Sequence, residues 1–312
     1  MKKVLVCGGS GFIGQNIIKF LQKKPYKIFA TYNSKKPKGL DFVKWIKSDL
    51  TSIKDVRKTI EDYEIIIQSA AVTSGAKEMI KNPLSLIGDN VVMNSLILKE
   101  AIKKKVGHFV FLSCSVMYHH SNKKLKESDY DPSKKLNKIY EGMALSKVYI
   151  ENMSKFYSER SKTKFSVLRH TNIYGPYDKF ENLKSHFMAS TINKIRHSKK
   201  SITVWGNGKE KRDFLYVEDL CLAIECILKK QKKNFEILNI SYGKTFSVKE
   251  IVKKIKEIYR KDIKIMFDKS KPTININISV DNTKIFNKYK WRPVNTIENG
   301  IKKTITWYSK NY

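Results

Sequence analysis

The segment Gly8-Gly9-Ser10-Gly11-Phe12-Ile13-Gly14 constrains this chain more than any other part of it. It follows residues 3–7, a short apolar run with the character of a strand. It opens residues 12–22, where Ile13, Ile17, Ile18 and Leu21 share one helical face. A glycine triplet alone is a weak signal, but between a strand and a helix it has a mechanism. Gly8 permits the tight turn, Gly11 lets the backbone approach a pyrophosphate, and Gly14 allows helix and strand to pack closely. The helix N-terminus then offers free N–H donors and a partial positive charge to phosphates. A dinucleotide site is therefore expected, with Gly8, Ser10, Gly11, Phe12, Ile13 and Gly14 as contacts.

The pattern that follows fits this start. Strand-like runs at residues 27–32, 42–46, 65–71, 108–112 and 165–168 alternate with helical patterns at 53–60, 91–104 and 143–157. Residues 65–71, opening on Ile65-Ile66-Ile67, are read as one apolar strand covered on both faces. Such alternation predicts an α/β protein with a doubly wound parallel Rossmann sheet. Regularity falls after Gly175-Pro176. Residues 213–227 and 236–240 read as returns to the sheet, and the rest as a smaller mixed α/β C-terminal domain that binds substrate. The expected division is 1–175 with 212–240 for the dinucleotide and 176–211 with 241–312 for the substrate.

Composition narrows the function classes. The chain has 312 residues, 41% of them hydrophobic, enough for a full core. No apolar run reaches the roughly 18 residues needed to span a bilayer, so no membrane partner is expected. The N-terminal apolar stretch is too short for a signal peptide, and a cytoplasmic protein is expected. Cys7, Cys114, Cys221 and Cys226 form no CxxC pair and have no histidines at metal spacing, so reduced thiols and no metal are expected. The formal charge of +33 invites a nucleic-acid reading, but only seven of the 62 basic residues are arginine, and the lysines spread along the whole chain. A lysine-biased solvated surface explains the charge, and no nucleic-acid partner is expected.

The ribose end of the dinucleotide site is ambiguous. After the second strand, NAD sites usually carry an acidic residue for the 2′-hydroxyl. Asn33 and Ser34 stand there, followed by Lys35 and Lys36, which suit the 2′-phosphate of NADP. Asp49, after the third strand, is a candidate partner of the adenine or else a helix N-cap.

Beyond the glycine loop, Ser48-Asp49-Leu50, Gln68-Ser69-Ala70-Ala71, Phe111-Leu112-Ser113-Cys114-Ser115, Ser146-Lys147 and Leu168-Arg169-His170-Thr171-Asn172-Ile173-Tyr174-Gly175-Pro176 form one set. Together they resemble the extended short-chain dehydrogenase/reductases that act on nucleotide sugars (NAD-dependent epimerases and dehydratases). Tyr177-Asp178-Lys179-Phe180, Ser185-His186, Val204-Trp205-Gly206-Asn207-Gly208, Arg212 and Val217-Glu218-Asp219 are similar to the GDP-fucose synthase branch. The resemblance covers nearly the whole chain. It implies a GDP-sugar substrate and cofactor contacts at Asn33, Asp49, Leu50, Ala70, Ala71 and Lys147. It also implies sugar contacts at Asn172, Lys184, His186, Trp205 and Arg212, and a homodimer or higher homo-oligomer built on the helices at 91–104 and 143–157.

That family works with a Tyr-x-x-x-Lys pair on one helix face, in which the lysine lowers the tyrosine pKa and the tyrosine moves the proton of the reacting oxygen. Lys147 is present, but Met143 occupies the tyrosine position, and a thioether carries no titratable proton. Tyr140, one turn earlier, is the candidate substitute. Cys114 stands at the family's catalytic serine or threonine, and Ser115 beside it is the other candidate to hold the substrate hydroxyl. The synthase branch also epimerises, with a cysteine and a histidine. His186 matches the histidine, while Val116 stands at the cysteine position.

Met in place of Tyr resembles the capsule-pathway GDP-heptose C4-dehydrogenases. This resemblance implies NAD-dependent oxidation of GDP-D-glycero-α-D-manno-heptose at C4 to the 4-keto sugar. Simple oxidation removes a hydride and a hydroxyl proton and needs no carbon acid chemistry. NAD is expected on the whole-chain resemblance, with NADP the lesser alternative. The competing readings are an NADPH-linked epimerase/reductase of a GDP-4-keto sugar and a non-catalytic dinucleotide binder.

Overall fold

The chain lays down its first strand in the middle of what becomes a seven-stranded sheet. In the computed structural model, which describes residues 1–73, 80, 82, 84, 86–180, 185–271 and 278–312, the first elements are β1 (Lys2–Cys7), α1 (Phe12–Leu21), β2 (Tyr26–Tyr32), β3 (Lys44–Lys47), α2 (Ile53–Thr59), β4 (Ile65–Gln68), α3 (Ile87–Lys103), β5 (His108–Cys114), β6 (Lys124–Leu125), α4 (Glu141–Ser158) and β7 (Lys164–His170). There follow β8 (Asn172–Tyr174), α5 (Phe187–His197), β9 (Ser201–Trp205), β10 (Lys211–Tyr216), α6 (Val217–Lys230), β11 (Phe235–Ile240), β12 (Thr245–Ser247), α7 (Val248–Tyr259), β13 (Lys264–Asp268), β14 (Ser279–Val280), α8 (Thr283–Tyr289) and α9 (Ile297–Asn311). The main sheet runs β3-β2-β1-β4-β5-β7-β11, parallel throughout. The strand order reverses between β1 and β4, which opens a crevice at the carboxyl ends of the strands.

Strand side chains alternate between the two faces. Leu5, Ile66, Phe109, Phe111, Phe165 and Val167 meet α2, α3 and α4. Val4, Val6, Ile65, Ile67, Val110, Leu112 and Leu168 go to the other face, with Ile17 and Ile18 of α1 and Leu220 and Ile224 of α6. This is the doubly wound α/β fold the sequence pattern predicts. The smaller sheets, β8-β10-β12, β9-β13 and β6-β14, lie outside the main one.

One stretch differs in kind. Residues 213–227 do not return to the main sheet. β10 pairs with β8 and β12 instead, and Val217–Lys230 is a helix. Its buried residues include Val217, Leu220, Cys221, Ile224 and Ile227, the helical 3.6 period, and Glu218 and Asp219 in the first turn suit a helix start. Boundaries also shift: β4 ends at Gln68 rather than at 71, and α3 begins at Ile87. No helix among the described residues is long and apolar enough to cross a membrane.

Candidate active site

The glycine loop is shaped by backbone contacts. Gly8 has φ +74, and a Cβ there would lie 2.5 Å from the Ala70 Cα. A Cβ on Gly14 would lie 2.2 Å from the Gly8 carbonyl oxygen. Gly11 is exposed and donates its N–H to the Gly8 carbonyl at 3.0 Å, closing the turn. It is also the N-cap of α1, and having no side chain it caps nothing. The first N–H groups of α1, at Phe12, Ile13 and Gly14, are thus left for a ligand. An uncapped helix start beside an exposed glycine fits a pyrophosphate.

A polar brace supports the far wall. Gln68 donates to Asn94 at 2.8 Å and to the Ala70 carbonyl at 3.2 Å. Asn90 bonds the Val72 backbone in both directions, at 2.9 and 3.1 Å. Ala70 and Ala71 are therefore held opposite the glycine loop by α3. Sequence reasoning missed Asn90 and Asn94; two buried amides one turn apart on a helix were the available signal.

At the ribose end, Asn33, Ser34, Lys35 and Lys36 are all exposed. Asp49 is exposed too, and its carboxylate accepts from the Thr51 N–H and hydroxyl at 2.9 and 2.7 Å, which lowers its pKa. The N-cap of α2 is Ser52, not Asp49. Leu50 is buried beneath this edge.

The second half of the site lies at the carboxyl ends of β5 and β7. Lys147 reaches from α4 and donates to the Leu112 carbonyl at 2.8 Å, with its Nζ 4.7 Å above the Phe111 ring. Burial lowers its pKa, against the nearby Cys114 and Glu151. Burial raises the Cys114 thiol, and Lys147 opposes it. The strand ends at Cys114, and Ser115 begins a short 3-10 turn, so the two are not bound by strand alternation. Ser113 turns to the other face, where its hydroxyl donates to Glu151 at 2.5 Å. Glu151 also takes Arg169 Nη2 at 2.6 Å, and Arg169 Nη1 donates to the Tyr118 hydroxyl at 2.9 Å. This buried network ties α4, β5 and β7 together behind the site.

Met143 lies one turn before Lys147, half-buried. Tyr140, the N-cap of α4, is half-buried as well. Burial raises its pKa, the Arg212 guanidinium lowers it and Cys114 raises it, so Tyr140, Arg212 and Cys114 share one electrostatic neighbourhood. Arg212 lies 5.5 Å from the centre of the Phe187 ring. Asn172, on β8, donates to the Asp213 carbonyl at 2.9 Å. His186 begins α5, and its Nδ1 lies 2.9 Å from Oδ1 of the buried Asp178. Burial opposes charge on this ring, but Asp178 outweighs it and holds the imidazole above its usual value. Trp205 ends β9 with 37% of its surface exposed. Lys184 falls outside the described residues. Val116 packs with Met117, Tyr118 and Ala144.

Aromatic contacts anchor the segment leading to His186. Tyr177 has φ +68, unusual for a side chain of its size, and sits 4.6 Å from Trp307 between ring centres. Phe180 stacks on Tyr308 at 4.4 Å. Asn16 of α1 donates to the Pro176 carbonyl at 2.8 Å. Both α1 and α9 thus hold the chain that carries Asp178.

A parallel sheet with an uncapped glycine loop at its reversal point defines a Rossmann-type fold of the dinucleotide-binding kind. Residues 4–241 match the model of the family described as NAD dependent epimerase/dehydratase, and the chain belongs to that family. NAD is accordingly its cofactor. The chain is 28% identical to a GDP-L-colitose synthase of Yersinia pseudotuberculosis, over 98% of this chain and 97% of the relative. It is 25% identical to a GDP-L-fucose synthase of Azorhizobium caulinodans, over 98% and 96%. In fold it is similar to a UDP-glucose 4-epimerase of Thermotoga maritima solved with UDP-glucose, with a TM-score of 0.86, 23% identity and 99% of each chain covered. A UDP-glucose 4-epimerase of Thermus thermophilus solved with NAD gives 0.84, at 21% identity, with 99% and 100% covered. The chain is thus a nucleotide-sugar-modifying member of the family.

Proposed function

We propose that this protein oxidises a GDP-linked sugar with NAD, taking GDP-D-glycero-α-D-manno-heptose at C4 to the 4-keto sugar. The observation that carries this reading is the selective loss around an otherwise kept site. Lys147 is anchored at the strand edge, but Met143 and Val116 supply no proton where a tyrosine and a cysteine are expected. Without a thiol at Val116, deprotonation and reprotonation of carbon lack one partner, whereas oxidation of a carbinol does not need it. Two similar proteins are named as synthases of GDP-L-colitose and GDP-L-fucose, which supports a GDP-sugar.

Bound NAD supplies the hydride acceptor. The N–H groups opening α1 would hold its pyrophosphate, and Lys147 would hold the nicotinamide ribose hydroxyls. Arg212, with a planar fork of donors, suits the diphosphate of the substrate. His186, whose imidazole Asp178 holds above its usual value, anchors the sugar side with Asn172 and Trp205, and Lys184 stays a candidate from the sequence alone. Cys114, Ser115 and Tyr140 line the reacting hydroxyl. Helices α3 and α4 expose Val92, Leu145, Tyr149 and Phe156, a surface suited to self-association.

The reductive reading has one observation in its favour, the contact of His186 with Asp178, which raises the imidazole pKa and favours its proton-donating form. The test is nicotinamide absorbance with the purified protein, the GDP-heptose and NAD. Absorbance rises with the native protein and falls by about 10²-fold or more in rate with Lys147→Ala. Silence with NAD, together with loss of NADPH absorbance on a GDP-4-keto sugar, transfers the assignment to a reductase. Silence in both, with cofactor bound, leaves a non-catalytic binder.

A further inference from the structure

His170 closes β7, and the parallel register sets it opposite Cys114 of β5. Leu168 goes to the α1 face of the sheet, so two residues on His170 takes that face as well. Arg169 turns the other way, into Glu151. Leu112 and Cys114 repeat this alternation on β5. His170 and Cys114 therefore project side by side from the carboxyl edge, where ligands of such sheets bind.

The state of the ring is fixed by its neighbour. Nδ1 lies 2.8 Å from the Thr171 carbonyl oxygen. A carbonyl offers no proton, so Nδ1 carries the N–H and Nε2 keeps a lone pair. Burial lowers the ring to about 4, with the Thr171 carbonyl opposing, and the charges of Lys147 from α4 and His186 from α5 add to the lowering. The imidazole is thus neutral at neutral pH. Cys114 and Tyr140, both raised by burial, keep their protons there and act as donors. Lys147 already gives a hydrogen bond to Leu112. The hydroxyls of Ser115 and Tyr140 and the Cys114 thiol accept hydrogen bonds but are poor proton acceptors, whereas the neutral His170 ring presents a basic nitrogen, Nε2.

Resting on the oxidation reading above, we propose that His170 Nε2 accepts the proton of the sugar hydroxyl during oxidation, the part a tyrosine would take where Met143 stands. The O–H bond breaks and its electron pair forms the second C–O bond. The carbinol C–H pair leaves as hydride to the oxidised nicotinamide dinucleotide. The proton rests on Nε2 as imidazolium and then passes to solvent. The negative charge that a GDP-sugar brings into the cleft opposes the lowering that Lys147 and His186 exert on this ring and so favours the imidazolium.

The test uses the whole protein with NAD and GDP-D-glycero-α-D-manno-heptose. His170→Gln keeps a hydrogen-bond acceptor that takes up no proton. Its kcat falls by about 10²–10⁴-fold, while KM moves by less than about threefold and NAD affinity and Tm hold. Added imidazole restores turnover to His170→Ala. Apart from turnover, nitrogen NMR of the native protein shows an unprotonated Nε2 that shifts when the GDP-sugar is added without cofactor. A kcat within about threefold of native in His170→Gln, or an Nε2 signal indifferent to the sugar, overturns the assignment. If NAD affinity and Tm fall along with kcat and imidazole rescues nothing, the histidine is a packing residue and the proposal fails. If the native protein oxidises no GDP-sugar while Nε2 still responds, the oxidation reading fails and takes the proton role with it.

Discussion

Between β1 and β4, the site is made of backbone: three glycines, an uncapped helix start, and a wall held by buried amides. Between β5 and β7 it is made of side chains, Lys147, Cys114 and His170 at the edge with a buried ionic network behind them. The first half keeps the form its family expects. The second, in the reading proposed above, carries Met143 where an acid–base tyrosine is expected. Backbone geometry leaves little room for variation, because any Cβ meets another main chain. Side chains projecting into a cleft can be replaced one at a time while the strands beneath stay in register.

The comparison can be broken at three points, in order of expected effect. Gly14→Val puts atoms where a Cβ alone would meet the Gly8 carbonyl at 2.2 Å. NAD binding, followed by titration calorimetry, drops below detection, a loss beyond about 10³-fold as overpacking pushes the loop off the helix. Retained affinity would show that the loop is not built by backbone contact. Next, Glu151→Gln leaves Arg169 buried and unpaired, at a cost of about 3–5 kcal/mol in urea unfolding. A change under about 1 kcal/mol would mean that the network does not brace β5 against β7. The smallest effect belongs to Lys35→Ala combined with Lys36→Ala. Both side chains are exposed, and NAD affinity changes by less than about twofold. A larger loss would place side-chain recognition in the cofactor half after all.

How much of this was legible in the sequence follows the same line. The glycine loop and the strand read over residues 65–71, which opens on Ile65-Ile66-Ile67, pointed to the fold because their signals are local. Residues 213–227 misled: an apolar beginning at Phe214-Leu215 masked the helical period that starts at Val217. The Asn90–Val72 and Gln68–Asn94 contacts join positions 18 and 26 apart, and nothing local announces them. His170 was visible as a residue of its motif but not as an acceptor, since its tautomer depends on where the Thr171 carbonyl points. Ser52 took the capping role open to Asp49 because Asp49 had already turned to Thr51.

The stacking of Phe180 on Tyr308, and of Tyr177 against Trp307, sets a timetable for synthesis. A chain emerging from the ribosome at about 5–20 residues per second can assemble β1, α1, β2 and β4 while most of it is still being made. The Asp178 segment must wait for α9. The segment leading to His186 is therefore finished only when the last helix of the chain has been made.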